Sequence, residues 1–246
     1  MSKYAAVIEY DGTDYRGFQA QPGNIKTVQG EITGALKVLL GDYEQFSYAG
    51  RTDAGVHAKH QVISFRIEKK IDFYRFKWKL NCLLPGDIVV KEMRSVHDTF
   101  DARKDAKWRQ YSYFVVNNSY QSVFLKKYSL LITKELDIEA MRASVDKFSG
   151  VKDFASFCNN NLQQGSTIRE VHSFKIRKFS DGLLVFRIAA SSFLYNMVRI
   201  MVGTVLEIGK EERSIKSIDK AFKGKNRKLA GKIVPAKGLF LTNVEY

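Results

Sequence analysis

The sequence predicts an α+β protein made of two ferredoxin-like halves, each running β-α-β-β-α-β, joined into one mostly antiparallel sheet with helices on one face. Three observations predict it. Short stretches of alternating apolar and polar residues are separated by turn residues, as half-buried strands require. Two amphipathic helical patterns in the first part of the chain carry recognisable caps. The same order of elements then occurs a second time without visible sequence identity, and the division falls into residues 1–103 and 104–246.

In the first half, Tyr4 to Tyr10 alternates like a strand and stops at Asp11-Gly12. Thr27 caps a helix with Val28, Ile32, Leu36, Leu39 and Leu40 on one face, ended by Gly41. Gln45 to Ala49 and Val62 to Ile67 read as strands on either side of a polar loop, residues 50–58. Asp72 caps a second helix whose apolar face is Phe73, Phe76, Leu80, Leu83 and Leu84, broken by Pro85-Gly86, and Asp87 to Val96 closes the unit.

The second half runs from a strand, Lys107 to Val116, to a helix, Ile138 to Phe148, ended by Gly150. Strands Ile168 to Phe179 and Leu183 to Ala190 flank an Asp181-Gly182 turn. The apolar run Leu194 to Ile208 is the next helix, followed by a basic helical segment and a last strand, Gly238 to Val244. That gives roughly eight strands, and burying one sheet face under helices leaves the other for a ligand.

Composition narrows the ligand. The 246 residues are long enough to bury a substantial core. Forty Lys and Arg against 26 Asp and Glu leave a net charge of +14, which asks for a polyanionic partner. Residues 210 to 237 concentrate it, with ten Lys or Arg facing three acids, a segment suited to holding phosphates. Cys82 and Cys158 are the only cysteines, so no disulfide framework is indicated and a reducing, cytoplasmic setting is expected. The apolar uncharged run Ile188 to Val198 is too short to span a bilayer, and no secretory signal is expected at the start.

The loop Gly50-Arg51-Thr52-Asp53-Ala54-Gly55-Val56-His57-Ala58 carries the candidate chemistry. Gly50 and Gly55 let a short loop turn sharply and lift Asp53 toward a ligand. A guanidinium beside that carboxylate favours its charged form, and a poised carboxylate can attack electrophilic carbon. In Arg109-Gln110-Tyr111-Ser112-Tyr113, strand alternation puts Arg109, Tyr111 and Tyr113 on one side, either as core or as a stacking surface for nucleobases. Arg199 is a cation in an otherwise apolar helix, Phe193 to Arg199 being its opening, and needs solvent or a carboxylate such as Asp53.

These three stretches, with Glu9-Tyr10-Asp11-Gly12, Gly17 to Pro22, Asn81 to Ile88, Phe100-Asp101-Ala102-Arg103, Arg169 and Pro235-Ala236-Lys237-Gly238-Leu239, resemble the TruA family of tRNA pseudouridine synthases over nearly the whole chain. The resemblance implies a central RNA-binding cleft, a homodimer, and isomerisation of uridines 38, 39 and 40 of the tRNA anticodon stem-loop without metal or cofactor. It implies that Asp53 is the catalytic aspartate, that Tyr111 stacks on the target uracil and that Arg199 pairs with Asp53, with Arg51 also assigned to catalysis. Substrate binding is expected of Tyr111, Arg109, Thr52, Gly55, His57, Arg169 and Leu194. Phe18 stands where a tryptophan is common in the family.

Two other readings carry less. Asp53, His57 and His60 offer a carboxylate and two imidazoles, but the chain has only four histidines and no supporting cluster, so no metal is expected. A non-catalytic RNA-binding protein of tandem RRM-like units shares the element order and charge, yet Val62 to Ile67 and Leu183 to Ala190 lack the glycine-and-aromatic signature of such modules. The polar run 159–165 is expected to be a mobile loop.

Overall fold

A computed structural model describes residues 2–68, 70–159 and 165–246. The expected loop at 159–165 therefore lies almost wholly outside the described residues. Among the described residues, five α-helices and ten strands, mostly antiparallel, give the α+β class that the sequence predicts. The chain forms two compact units, Met1–Arg109 with Phe240–Tyr246, and Gln110–Leu239.

The first unit contains β1 (Ser2–Tyr10), α1 (Val28–Leu40), β2 (Glu44–Tyr48), β3 (His57–Ile67), α2 (Phe73–Leu83) and β4 (Ile88–Val96). Strands β3 and β4 flank β1 antiparallel, and β2 lies antiparallel on β3. The Thr27 hydroxyl accepts from the Gly30 N–H and the Asp72 carboxylate from the Arg75 N–H, so both predicted caps form, each worth about 1 kcal/mol. Val28, Ile32 and Leu36 are buried from α1 as the periodicity requires.

Helix α2 departs from its expected face. Phe76, Leu80 and Leu84 are buried, whereas Phe73 and Leu83 are exposed. The reason is Asn81, whose amide donates to Val90 O and accepts from Val90 N, fixing the helix's rotation against β4.

The second unit contains β5 (Trp108–Asn117), β6 (Leu130–Ile132), α3 (Ile138–Val145), β7 (Gly150–Asp153), β8 (Ile168–Lys178), β9 (Leu183–Ala190), α4 (Met197–Gly209) and α5 (Lys216–Gly224). Its strand order is β5-β9-β8-β7, with β6 parallel to β5. The β8–β9 hairpin turns through Asp181 and Gly182, both at positive φ, as the Asp-Gly pair predicts. Phe148, Phe157 and Phe222 pack with ring centroids 4.9 to 5.9 Å apart, and Phe154 and Phe174 extend this aromatic core.

Three expectations are corrected. Ten strands replace eight, because β6 and β7 are too short to show alternation. Helix α4 starts at Met197, not Leu194, because Asn196 adopts a left-handed conformation (φ 61) that leaves Leu194 in the preceding turn. The last strand, β10 (Leu239–Glu245), runs parallel to β3 through Phe240 and Leu241 opposite His57 and Ala58, which draws His57 and Ala58 out of the loop and into β3.

Candidate active site

The loop carrying Asp53 is short, residues 50–56, and it is clamped at both ends. At its entry the buried Gln61 side chain accepts from Gly50 N at 3.2 Å and donates to Gly50 O at 2.6 Å. In its middle, Thr52 O accepts from Phe18 N at 3.0 Å, and the Thr52 hydroxyl lies 2.7 Å from the Tyr10 hydroxyl. Burial pushes the Tyr10 phenol far above its ordinary range, so it stays a neutral hydrogen-bonding group. At its exit Val56 N donates to Asp53 O, closing a turn through Gly55 at φ 74.

Two glycines from the 12–18 segment allow this clamp. A side chain at Gly12 would put a Cβ 2.0 Å from Val56 O, and one at Gly17 would meet Thr52 O at 3.0 Å. Thr52 and Val56 are buried on either side of Asp53, which is itself half-buried. The backbone thus fixes Asp53 by anchoring its neighbours, while Arg51 points into solvent near enough to Tyr48 to oppose the burial that raises that phenol.

His57 is 1% exposed. Its Nδ1 faces the Gly12 N–H at 3.0 Å and an Asp11 carboxylate oxygen at 2.9 Å. An unprotonated Nδ1 accepts from Gly12 and a protonated one donates to Asp11, so either form ties the Asp11-Gly12 turn to the loop's exit. The ring also stacks on Phe240 with centroids 4.5 Å apart.

Arg109 is 8% exposed. Its guanidinium donates to Ala49 O at 3.0 Å, Ala106 O at 2.9 Å and Arg103 O. It therefore grips the backbone that enters the Asp53 loop.

In the second unit β5 presents Tyr111 and Tyr113 on one side, as alternation requires. Tyr111 is 7% exposed and meets Phe193 edge to face at 5.1 Å. Tyr113 is core, its hydroxyl donating to Pro235 O at 2.8 Å. A Cβ at Gly238 would stand 2.8 Å from the Tyr113 ring, so the Pro235-Ala236-Lys237-Gly238 stretch lies directly on that ring.

Arg199 is held by its own unit. Its Nε donates to Val234 O at 2.8 Å and its Nη1 to Asn196 Oδ1 at 3.1 Å. The left-handed Asn196 serves that second bond, a role for which the chain carries no local signal. Residue 203 sets the first: a Cβ on Gly203 would sit 1.8 Å from Lys232 O, so only glycine lets the 231–234 segment lie against α4. Leu194 is buried in the turn before α4. Arg169, on β8, donates to Ser166 O and Ile168 O.

Several cations of the basic segment are already committed. Lys225 pairs with Asp153 at 2.8 Å, Arg213 with Glu207 at 2.9 Å, and Arg227 donates to Gly231 O. Lys216, Lys220, Lys223, Lys228 and Lys232 are exposed. Among the described residues, no three His, Cys, Asp or Glu are arranged to hold a metal ion, and no helix is long and apolar enough to cross a membrane.

A clamped aspartate loop lies in one unit, and in the other lie the Tyr111 strand and an arginine bonded to Val234 O and Asn196 Oδ1. The family model described as tRNA pseudouridine synthase matches residues 6–103 and 145–246. The chain is 41% identical to a Geobacillus protein named tRNA pseudouridine synthase A, over 97% of this chain and 96% of that one. It is 38% identical to proteins of the same name from Acetivibrio thermocellus and Brevibacillus brevis, over the full length of both partners in each case. The chain belongs to the TruA-type tRNA pseudouridine synthases, a family of RNA-modifying isomerases.

Proposed function

We propose that this protein converts uridine to pseudouridine at positions 38, 39 and 40 of the tRNA anticodon stem-loop, with Asp53 as the catalytic nucleophile. The observation that carries the reading is the clamp on Asp53, held between buried Thr52 and Val56 by hydrogen bonds from Gln61, Tyr10 and Phe18. A carboxylate fixed by its neighbours' backbone is preorganised for attack without ordering cost at the moment of reaction.

The reaction breaks the N1–C1′ bond, turns the uracil and joins C5 to C1′, with a proton leaving C5 and one arriving at N1. A stacked base cannot turn, so the uridine is extruded at a cost of a few kcal/mol, and the Tyr111 ring replaces the lost stacking neighbour. Arg199 and Arg51 are the cations assigned to the Asp53 carboxylate. Arg109, Thr52, Gly55 and His57 serve substrate binding through the shape of the loop, and Arg169 and Leu194 contribute from the second unit. The protein acts as a cytoplasmic homodimer on the anticodon arm. Mapping pseudouridine in bulk tRNA before and after incubation with the protein tests the reading: new pseudouridine at 38, 39 or 40 is the expected result, and none at any position would overturn it.

A further inference from the structure

Helix α2 turns an aromatic and basic face to solvent that takes no part in holding the Asp53 loop. Tyr74 is 79% exposed and Trp78 is 63% exposed. Four residues apart, they lie one turn from each other on the same side, with Arg75 and Lys79 exposed beside them at the same spacing. The helix cannot rotate to hide them. Phe76 and Leu80 are buried beneath it, Asn81 is doubly bonded to Val90, and Lys77 Nζ reaches Lys91 O at 3.1 Å. From Lys69 to Lys79 five cations stand against a single acid, Asp72, whose carboxylate is spent on the helix cap.

We infer that the Tyr74–Trp78 face of α2 is an accessory RNA-docking surface that takes an unpaired nucleotide, the rings stacking on its base and Arg75 and Lys79 meeting its phosphates. It rests on the reading of this protein as an RNA-modifying enzyme and adds an anchoring point away from the Asp53 loop. Spacing allows stacking: residues one turn apart are separated by about 6 Å of helix rise, so both exposed rings are within reach of one nucleotide. Charge selects the occupant. A two-fold association between copies of this chain would lay the same face against itself and oppose like charges, whereas RNA supplies the missing anion.

The experiment uses Trp108→Phe protein, in which Trp78 is the sole tryptophan, since the chain has two. Titration with a short oligouridylate quenches Trp78 fluorescence. Tyr74→Ala or Trp78→Ala weakens oligouridylate binding about tenfold, with Trp78→Phe restoring most of it. Arg75→Gln with Lys79→Gln lowers the slope of log affinity against log salt by about 1.4, roughly 0.7 for each phosphate no longer neutralised. Unchanged quenching and affinity would overturn the proposal. So would a shift from dimer to monomer in Trp78→Ala with oligouridylate affinity retained, which assigns the face to a second copy. Pseudouridine formation by the parent protein is a separate readout: binding through Trp78 without product would leave this surface standing and sink the catalytic reading.

Discussion

The guanidinium of Arg109 donates to the carbonyl of Ala49 at 3.0 Å, immediately ahead of Gly50 and the loop that carries Asp53. With the bonds to Ala106 and Arg103 it joins two backbone segments, at 49 and at 103–106, through three carbonyls on one planar fork. A lysine keeps the charge but cannot span the three carbonyls. Hydrogen bonds to a charged donor are worth about 1.5–3 kcal/mol each, so Arg109→Lys is expected to cost at least one of them and lower Tm by roughly 4–10 °C. Single-turnover rate should fall further than tRNA affinity, because the loop's position suffers more than its chemistry. Wild-type melting and turnover in the variant would remove Arg109 as an anchor.

Gly203→Ala is expected to act on Arg199 without touching it. The new methyl meets Lys232 O, forces the 231–234 segment away from α4 and takes Val234 O from the Arg199 guanidinium. Overpacking of this kind costs about 1–3 kcal/mol. The specific signature is kinetic: Gly203→Ala and Arg199→Lys should each slow single turnover, and the double variant should be no slower than the worse single, since both lose the same orientation. Gly34→Ala on α1, where an added Cβ meets nothing within 4 Å, is the control and should be neutral or slightly stabilising. Additive losses in the double variant would disconnect Gly203 from Arg199.

Stability should fall steeply on the alkaline side. Burial raises the phenol pKa of Tyr10 and Tyr113 well above the ordinary value of 10.0. A group whose folded pKa is raised contributes stability that is complete below its unfolded pKa and is lost as pH climbs from there through the folded value. The loss therefore begins near pH 10, where the unfolded chain gives up phenol protons that the folded protein keeps. On the acid side the sign reverses: the bonds from Lys225 and Thr167 hold the Asp153 carboxyl below its ordinary range, so its contribution is present above the unfolded pKa and fades as pH falls through the folded one. Denaturant titrations across pH check both limbs, and Tyr113→Phe should flatten the alkaline one. An alkaline limb of unchanged steepness in that variant would contradict the assignment.

Much of this architecture was legible in the sequence because local chemistry and tertiary structure agree there. Thr27, Asp72, Gly41 and Asp181-Gly182 do in the fold what their types do in isolation. The Gly50–Gly55 motif likewise marked a loop with a half-buried aspartate. What could not be read were choices made by distant partners. The pairing of β10 with β3 decides that His57 is strand and interior, and no local signal at His57 carries it. Asn81 decides which face of α2 is buried, against an amphipathic pattern that admitted Phe73 and Leu83. The carbonyl partners of Arg109 come from residues 49, 103 and 106, and only the fold brings them together.

The ion pairs of the basic segment narrow its part in RNA binding. Lys225 and Arg227 already hold Asp153 and Gly231, so substituting them tests the fold as much as RNA binding. The exposed Lys216, Lys220, Lys223 and Lys228 are the informative set. Changing all four to glutamine should leave Tm within a few degrees and weaken tRNA binding. Every phosphate that one of these lysines neutralises in the wild type adds about 0.9 to the salt slope, for helical RNA treated like duplex DNA, and the variant should be shallower by that amount per lysine engaged. An unchanged slope would make α5 and its flanks a solvated surface only.

Asp53→Asn is the decisive variant. Asparagine keeps the side chain's size, and the loop's anchors, the Tyr10–Thr52 bond, the Gln61 clamp and the Gly55 turn, involve neighbouring residues or the backbone. The fold and tRNA affinity are therefore expected to stay near wild type. On the proposed mechanism the nucleophile is lost, so no pseudouridine should form even when enzyme saturates the tRNA and one turnover is followed. Arg199→Lys retains a cation but not the planar fork now set by Val234 and Asn196, and should be slow without unfolding. Tyr111→Phe keeps the ring against Phe193, so a large rate loss there would assign the hydroxyl to proton transfer and near-normal turnover would leave stacking as its task. Measurable turnover by Asp53→Asn would take Asp53 out of the mechanism, because an amide can imitate the carboxylate's shape but cannot attack carbon in its place.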